Sequence, residues 1–301
     1  MTATINSGTG DRLWRSLVIA TPYLWLVVFF LVPFGIVLKI SLADPLVAQP
    51  PFSDFFDWSG STGRRVLATL DNYRFLLEDQ LYLVSYLNSI KIALISTGLC
   101  LLLGFPMAYA IARSPYPLRN LLLLLVILPF WTSFLLRVYA WMVMLGKQGL
   151  INQLLISVGL IEQPLQMLYT DWAVYLGIVY TYVPFMILPL YATLEKLDPD
   201  LHEAAADLGA RRHQVFLDIT LPLAMPGIIA GCLLVFIPAL GEYVIPALLG
   251  GLDSLMIGRT LYDEFFVNRD WPLASAVAVV LLLILVLPIM LFQRLQQEAD
   301  A

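Results

Sequence analysis

The sequence predicts an all-α membrane protein with six spanning helices, and three observations carry that expectation. Hydrophobic residues fill 60% of the 301 positions and charged residues only 13%, about half the charged share of an ordinary soluble domain. Six apolar stretches approach the roughly 20 residues a bilayer span requires. They are Leu17–Ile40, Ile90–Ile111, Leu121–Leu145, Trp172–Leu194, Gly227–Leu249 and Leu273–Phe292. Prolines recur inside them, at Pro33, Pro106, Pro129, Pro184, Pro189, Pro238, Pro246 and Pro288. Each removes a backbone donor and frees a carbonyl that lipid cannot satisfy. So many breaks fit a transporter bundle better than a simple anchor.

The elements follow in order. Residues 1–16 are polar and include Arg12 and Arg15. The apolar run that begins at Leu17 is longer than the ~7–15 residues of a signal-peptide core, so it reads as a retained first helix. An even number of spans places the N-terminal segment 1–16 and the tail 293–301 on one side. Eight Lys and Arg residues fall in the loops of that side and six in the longer loops opposite. The density favours a cytoplasmic N-terminus. Residues 17–292 then form the membrane domain. Its first outside loop, Ala43–Tyr82, holds Pro50-Pro51 and six acidic residues. It either meets an external partner or caps the bundle. Between Gly146 and Trp172, Gly149-Leu-Ile-Asn152 suggests a short interfacial helix.

Several function classes drop out. A net charge of −5 lacks the basic face that nucleic acid requires. Cys100 and Cys232 lie in apolar runs and read as small buried hydrophobes. His202 and His213 lie in a polar loop without a second-ligand pattern and read as solvated. No metal site, catalytic constellation or G-x-x-x-x-G-K-[ST] phosphate loop is expected, so the chain is not expected to be an enzyme.

The polar loop 195–222 is the most informative stretch. Asp198 suits an N-cap and Pro199 the first helical position. Asp200 and Glu203 favour the positive end of the helix dipole, and Gly209 suits a left-handed stop. The small Ala204-Ala205-Ala206 face lets another backbone approach. A second amphipathic helix is expected from Ala210, ending near Ile219-Thr-Leu-Pro222, where Pro222 and Pro226 turn the chain into the fifth span.

Glu203-Ala204-Ala205, Gly209, Ile219, Leu221 and Pro222 fall in the spacing E-A-A, three residues, G, nine residues, I-x-L-P. Here the chain resembles the permease subunits of bacterial ABC importers. The resemblance extends along nearly the whole chain to the spermidine and putrescine permeases. It includes Phe134-Leu-Leu-Arg137-Val-Tyr139-Ala-Trp141, Gly149–Asn152, Val183–Pro189 and Gly241-Glu242-Tyr243-Val-Ile-Pro246–Gly251. Ser254–Gly258 and Asn268–Ala276 are most similar to the putrescine member.

The resemblance implies a type I ABC importer fold in the bacterial inner membrane. It also implies a heterodimer with a second permease, two ATPase subunits beneath, and a periplasmic polyamine-binding protein above. The chain itself would hold no cofactor, ATP and Mg belonging to the ATPases. Loop 195–222 would be the cytoplasmic coupling segment, and putrescine, spermidine or both the cargo. Thiamine, an iron chelate or an amino-acid derivative would fit the same machine. A secondary transporter would show inverted repeats or relay carboxylates, and neither is evident.

Few charges lie inside the spans. Lys39 and Lys91 read as snorkelling chains near helix ends. Arg137 either lines a path or locks helices together. Glu242 lies 15 residues after Gly227, about 22 Å along a continuous helix in a 30 Å core. With Gly241, Pro238 and Pro246 around it, a broken backbone facing the bundle interior is expected. Glu242 would contribute a charge to a cation path, with Tyr243, Tyr139 and Trp131 adding ring contacts. The alternative is a structural pair with Arg137 or with a partner residue.

Overall fold

A computed structural model of the chain describes residues 9–54, 56–57, 65–66, 68–251 and 254–299. Residues 1–8 of the polar N-terminal segment and Arg64 of the outside loop lie outside these. Two compact units form, one from Met1–Glu78 and Glu264–Val280, the other from Asp79–Asp263 and Leu281–Ala301.

The first unit begins with α1 (Thr9–Leu26), a π-helical turn at Val27–Leu31 and α2 (Val32–Ser41). Val18–Ser41 is long and apolar enough to cross a membrane. The widened turn directly precedes Pro33, whose ring would clash with the carbonyl four residues back in a regular helix. A short antiparallel pair, β1 (Phe56–Asp57) and β2 (Arg65–Val66), precedes α3 (Asp71–Glu78). Buried Asn72 of α3 donates to Ser41 O at 3.0 Å and Ala43 O at 2.8 Å. Those are carbonyls at the frayed end of α2, so one amide closes that end.

In the second unit α4 (Gln80–Ala112) comes first. Asp79 caps it, accepting from Leu81 N at 2.8 Å. The expected outside loop therefore stops short of Tyr82, and the second span starts ten residues before Ile90. Tyr82, Ser85, Tyr86 and Ser89 are all buried on one face, and polar Ser and Tyr at that spacing do not register as apolar span. Lys91 consequently sits well inside α4 rather than near its end.

The expected span Leu121–Leu145 is broken. It comprises α5 (Tyr116–Ile127), a 3₁₀ turn at Leu128–Trp131, extended Thr132 and Ser133, and α6 (Phe134–Leu145). Pro129 supplies no N–H for a continuous ladder. A short helix, α7 (Leu150–Ser157), follows with Gly149 as its N-cap, and rather than standing apart as an interfacial helix it falls within Phe134–Ser157, the third segment long and apolar enough to cross a membrane. Next come α8 (Asp171–Leu194), α9 (Asp200–Asp207) and α10 (Arg212–Val215). A π turn at Phe216–Thr220 joins α10 to α11 (Leu221–Leu240) without a bend that would end the helix. Pro222 and Pro226 therefore do not turn the chain. The wider turn just before Pro222 makes room for its ring. After α11 come α12 (Val244–Leu249) and α13 (Ile257–Tyr262); a π turn at Asp263–Val267 and α14 (Trp271–Ala299) follow, of which Glu264–Val280 belongs to the first unit. Among the described residues six segments are long and apolar enough to cross a membrane.

Helices α4, α8 and α11 pack pairwise as the centre of this unit. The packing is close because glycines line it. A Cβ on Gly227 would lie 2.6 Å from Thr193 Oγ1 and 2.9 Å from the Pro189 carbonyl. One on Gly231 would lie 2.7 Å from Met186 Sδ. Small residues at such crossings are how helices associate where lipid removes the hydrophobic drive. Gly227→Ala is expected to lower stability by about 1–3 kcal/mol through overpacking, read as an earlier thermal unfolding midpoint in detergent. Gly98→Ala, with open space around its Cβ, is expected to leave the midpoint unchanged or raise it.

Candidate functional site

Two polar sites stand out in the second unit, one in loop 195–222 and one at the break after α11. The loop site is built on α9. Asp198 caps it through its side chain, accepting from Asp200 N at 3.0 Å. Gly209 has φ +84°. The Ala210 amide donates to Ala205 O at 3.0 Å and the Gly209 amide to Ala206 O at 2.9 Å, the paired bonds of a left-handed helix stop. No atom lies within 4 Å of a Cβ at Gly209, so conformation alone demands glycine there.

The Ala204-Ala205-Ala206 run is not one face. Ala205 is buried with half-buried His202 one turn before it, while Glu203, Ala204 and Ala206 are exposed. Beside them Leu208 stands 89% exposed, an apolar side chain at the tip of a polar loop. Ile219 and Leu221 are half-buried and Pro222 exposed, all around the π turn.

His202 is not merely solvated. Its Nε2 lies 3.0 Å from Thr220 Oγ1, and Arg113 Nη2 at the end of α4 lies 3.1 Å from the ring. His213 is exposed. Nearby Arg119 of α5 donates to Glu195 Oε1 at 2.7 Å and to Ala112 O at 2.9 Å, joining the ends of α8 and α4. The ion pair is partly exposed and contributes geometry more than energy.

The second site is the break itself. Helix α11 stops at Gly241, and the chain resumes as α12 from Val244, as the proline and glycine pattern predicts. Glu242 is 7% exposed. Its Oε1 accepts from Val244 N at 3.0 Å and Ile245 N at 3.4 Å, capping α12. Its Oε2 accepts from Tyr182 of α8 at 2.5 Å. Among the described residues no ion pair neutralises this carboxylate, so every donor it meets is formally neutral.

Helix α13 holds the break in place. A Cβ on Gly258 would lie 2.3 Å from Gly241 O and 2.7 Å from Glu242 O. The approach to α4 is polar: Ile257 N donates to Ser89 Oγ at 2.7 Å. Ser254 donates to the Asp171 carboxylate and accepts from Gly251 N at 3.2 Å, fixing the chain before α13 to the start of α8.

None of the other path residues is a hydrogen-bond partner of the Glu242 carboxylate among the described residues. Tyr243 stacks on Tyr262, with centroids 4.0 Å apart. Arg137 makes no ion pair with Glu242. Its guanidinium lies 5.2 Å from the Phe130 ring and 5.9 Å from the Phe134 ring, and its buried Nε has no hydrogen-bond partner among the described residues. Rings connect the two charges instead. Phe130 packs edge-on against Phe185 at 5.1 Å, and Phe185 lies 6.1 Å from Tyr182. Trp131 and Tyr139 are exposed, at 76% and 46%. Tyr182, His202 and Gly258 escape a sequence reading, because a Tyr in an apolar run, a His in a polar loop and a Gly beside a turn carry no spacing of their own.

A family model described as "Binding-protein-dependent transport system inner membrane component" matches residues 100–298. The chain belongs to this family. It is a multi-pass inner membrane protein and the permease component of a binding-protein-dependent transport system. The permease is 41% identical over 281 residues to the spermidine/putrescine transport system permease protein PotB of Haemophilus influenzae, covering 93% of each chain. It is 44% identical over 230 residues to PotB of Escherichia coli K12, covering 76% of this chain and 83% of the relative. Similarity extends at 34% identity over 204 residues to the molybdenum permease protein ModB of Mycobacterium bovis, covering 66% of this chain and 74% of the relative.

Its fold is that of a chain in a bacterial alginate ABC transporter, with TM-score 0.67, 19% identity and 96% of each chain covered. A chain of the MetNI methionine transporter gives TM-score 0.53 at 15% identity, covering 71% of this permease and 94% of that chain.

The Tyr182–Glu242 bond ties α8 to the break in α11. Tyr182→Phe is expected to cost about 1–2 kcal/mol, the scale of a hydrogen bond to a charged group tempered by the membrane reference state. Thermal unfolding of the detergent-purified permease measures it.

Proposed function

We propose that this permease forms half of the membrane channel of an ABC importer that carries polyamines, putrescine or spermidine or both, into the cytoplasm. The single observation that carries the substrate class is Glu242, a carboxylate buried at a helix break with only neutral partners. A lone intramembrane charge is costly unless function retains it, and an ammonium group of the cargo supplies the missing countercharge. The names of the relatives at about 40% identity support the same reading.

Glu242 replaces part of the hydration lost by an ammonium group, and the adjacent Tyr243 ring adds a cation–π face. A single carboxylate, rather than several, lets the cation leave again. Arg137 bounds the aromatic run from Tyr182 through Phe185 and Phe130, a fixed positive charge where the cation path ends. Exposed Trp131 and Tyr139 belong to a surface for the second permease of a heterodimer.

The chain has no cofactor and catalyses no reaction of its own. ATP and Mg act on two partner ATPase subunits, and a periplasmic polyamine-binding protein delivers the solute. Segments 1–16, 195–222 and 293–301 lie in the cytoplasm, and the loop that follows α2 faces outward. Helix α9, with Glu203 and Ala204 exposed and Leu208 at its tip, docks on the ATPases. Their movement rocks the bundle between outward-open and inward-open states.

Two substitutions test the two halves of this reading in proteoliposomes holding the whole complex. Glu242→Gln keeps the volume and removes the charge. Spermidine uptake is expected to fall at least about tenfold, the effect of losing about 1.4 kcal/mol of interaction, while the complex still assembles. Uptake at the wild-type rate would overturn the cation reading. Gly209→Val forces a β-branched residue into the left-handed region. It is expected to separate ATP hydrolysis from uptake, and normal uptake per ATP in that variant would remove α9 as the coupling element.

A further inference from the structure

The imidazole of His202 is the meeting point of three segments. It projects from α9 on the same side as buried Ala205. It meets Arg113, the C-terminal cap of α4, and Thr220, the buried last residue of the π turn that leads into α11. Arg113 Nη2 lies 3.1 Å from both Nδ1 and Nε2, so the guanidinium approaches the face of the ring. Thr220 Oγ1 is 3.0 Å from Nε2. One imidazole bridges both neighbours at once.

Apart from His202 and the small buried Ala205, α9 is held by its ends. Residues 195–199 link it to α8 and residues 208–211 link it to α10. Its remaining outward residues, Glu203, Ala204 and Ala206, face solvent. Without a long side chain reaching inward, a push on α9 would pivot it about those two links and the short Ala205 contact, and α8 and α10 would take most of the load. His202 adds two further attachments, to α4 and to the base of α11. Those two helices and α8 are the ones that pack pairwise at the centre of the unit.

We infer that His202 is a positioning residue that transmits movement of α9 to α4 and α11, through an imidazole held between Arg113 and Thr220. The inference rests on the coupling reading of α9 and adds to it the route by which load enters the bundle. A Gln side chain can reproduce the geometry, its carbonyl accepting from Arg113 and its amide donating to Thr220. A Leu side chain of similar bulk can do neither.

The test is spermidine transported per ATP hydrolysed by the complete complex in proteoliposomes, with Gly209→Val measured alongside. His202→Leu is expected to lower that ratio by about fivefold or more, the low end of measured coupling between sites, with ATPase subunits still co-purifying. His202→Gln is expected to restore it to within about twofold of wild type. A residue with a merely structural role would lower yield without changing the ratio. Should His202→Leu fail to assemble, Thr220→Val removes the hydroxyl from the same joint at equal volume and must show the same fall. A wild-type ratio in His202→Leu, or in Thr220→Val where that variant stands in, overturns the joint, as does a Gln variant as poor as Leu. Loss of coupling in Gly209→Val beside a normal His202→Leu would remove the joint and leave the docking role of α9 intact. Normal ratios in both would remove both.

Discussion

A backbone in hydrocarbon must find every hydrogen-bond partner within the protein, and the sites of this permease follow from how it meets that demand. Its spans are interrupted repeatedly, and an interruption strands N–H and C=O groups that water would otherwise take. One side chain per interruption answers the need. Glu242 accepts the first free amides of α12. Asn152 closes the turns on either side of α7, donating to Gly146 O at 3.1 Å and Leu165 O at 3.0 Å and accepting from Leu165 N at 2.8 Å. Ser89 receives the first amide of α13, and Asn72 closes the end of α2 in the other unit. Neutral amides and hydroxyls suffice at three of these places. At the fourth, Glu242 brings a buried carboxylate to the same task.

Proline and π turns form a second pattern. The turns at Val27–Leu31 and Phe216–Thr220 each end two residues before a proline, Pro33 and Pro222. A regular helix would drive the proline ring into a carbonyl, and one extra residue in the preceding turn relieves that clash. At Pro129 the helix tightens to 3₁₀ and then breaks. The same residue type therefore yields a continuous helix in one place and a break in another, depending on whether the turn before it can widen.

The two polar sites share their helices. Helix α11 begins one residue after Thr220, which touches His202, and ends two residues before Glu242. Its 20 residues cover about 30 Å. Helix α8 carries Tyr182, bonded to Glu242, and ends beside Glu195, bonded to Arg119. Glycine contacts lock α8 to α11 between those ends. Helix α11 thus has one hydrogen-bonded site near each end, the second meeting α8 at Tyr182 midway along that helix, and displacement at either end is carried along packed backbone.

By itself the sequence determined the membrane class, the six spans, the capped helix in loop 195–222 with its left-handed Gly209, and the broken backbone at Glu242. Each of these rests on a local property: apolar length, capping chemistry, a glycine's free φ, or a charge that lipid will not accept. Only the tertiary structure decided the rest. It extended α4 back to Gln80 along a face of buried Tyr and Ser, carried α10 through Pro222 into α11, and split the third span at Pro129. It also drew His202 from solvent to Arg113 and Thr220, and gave Glu242 to Tyr182 rather than to Arg137. The partners in those contacts lie 60 to 89 residues apart in the chain, apart from Thr220 at 18. No spacing rule reaches that far, because it is the packing of α4, α8 and α11 that brings such side chains together.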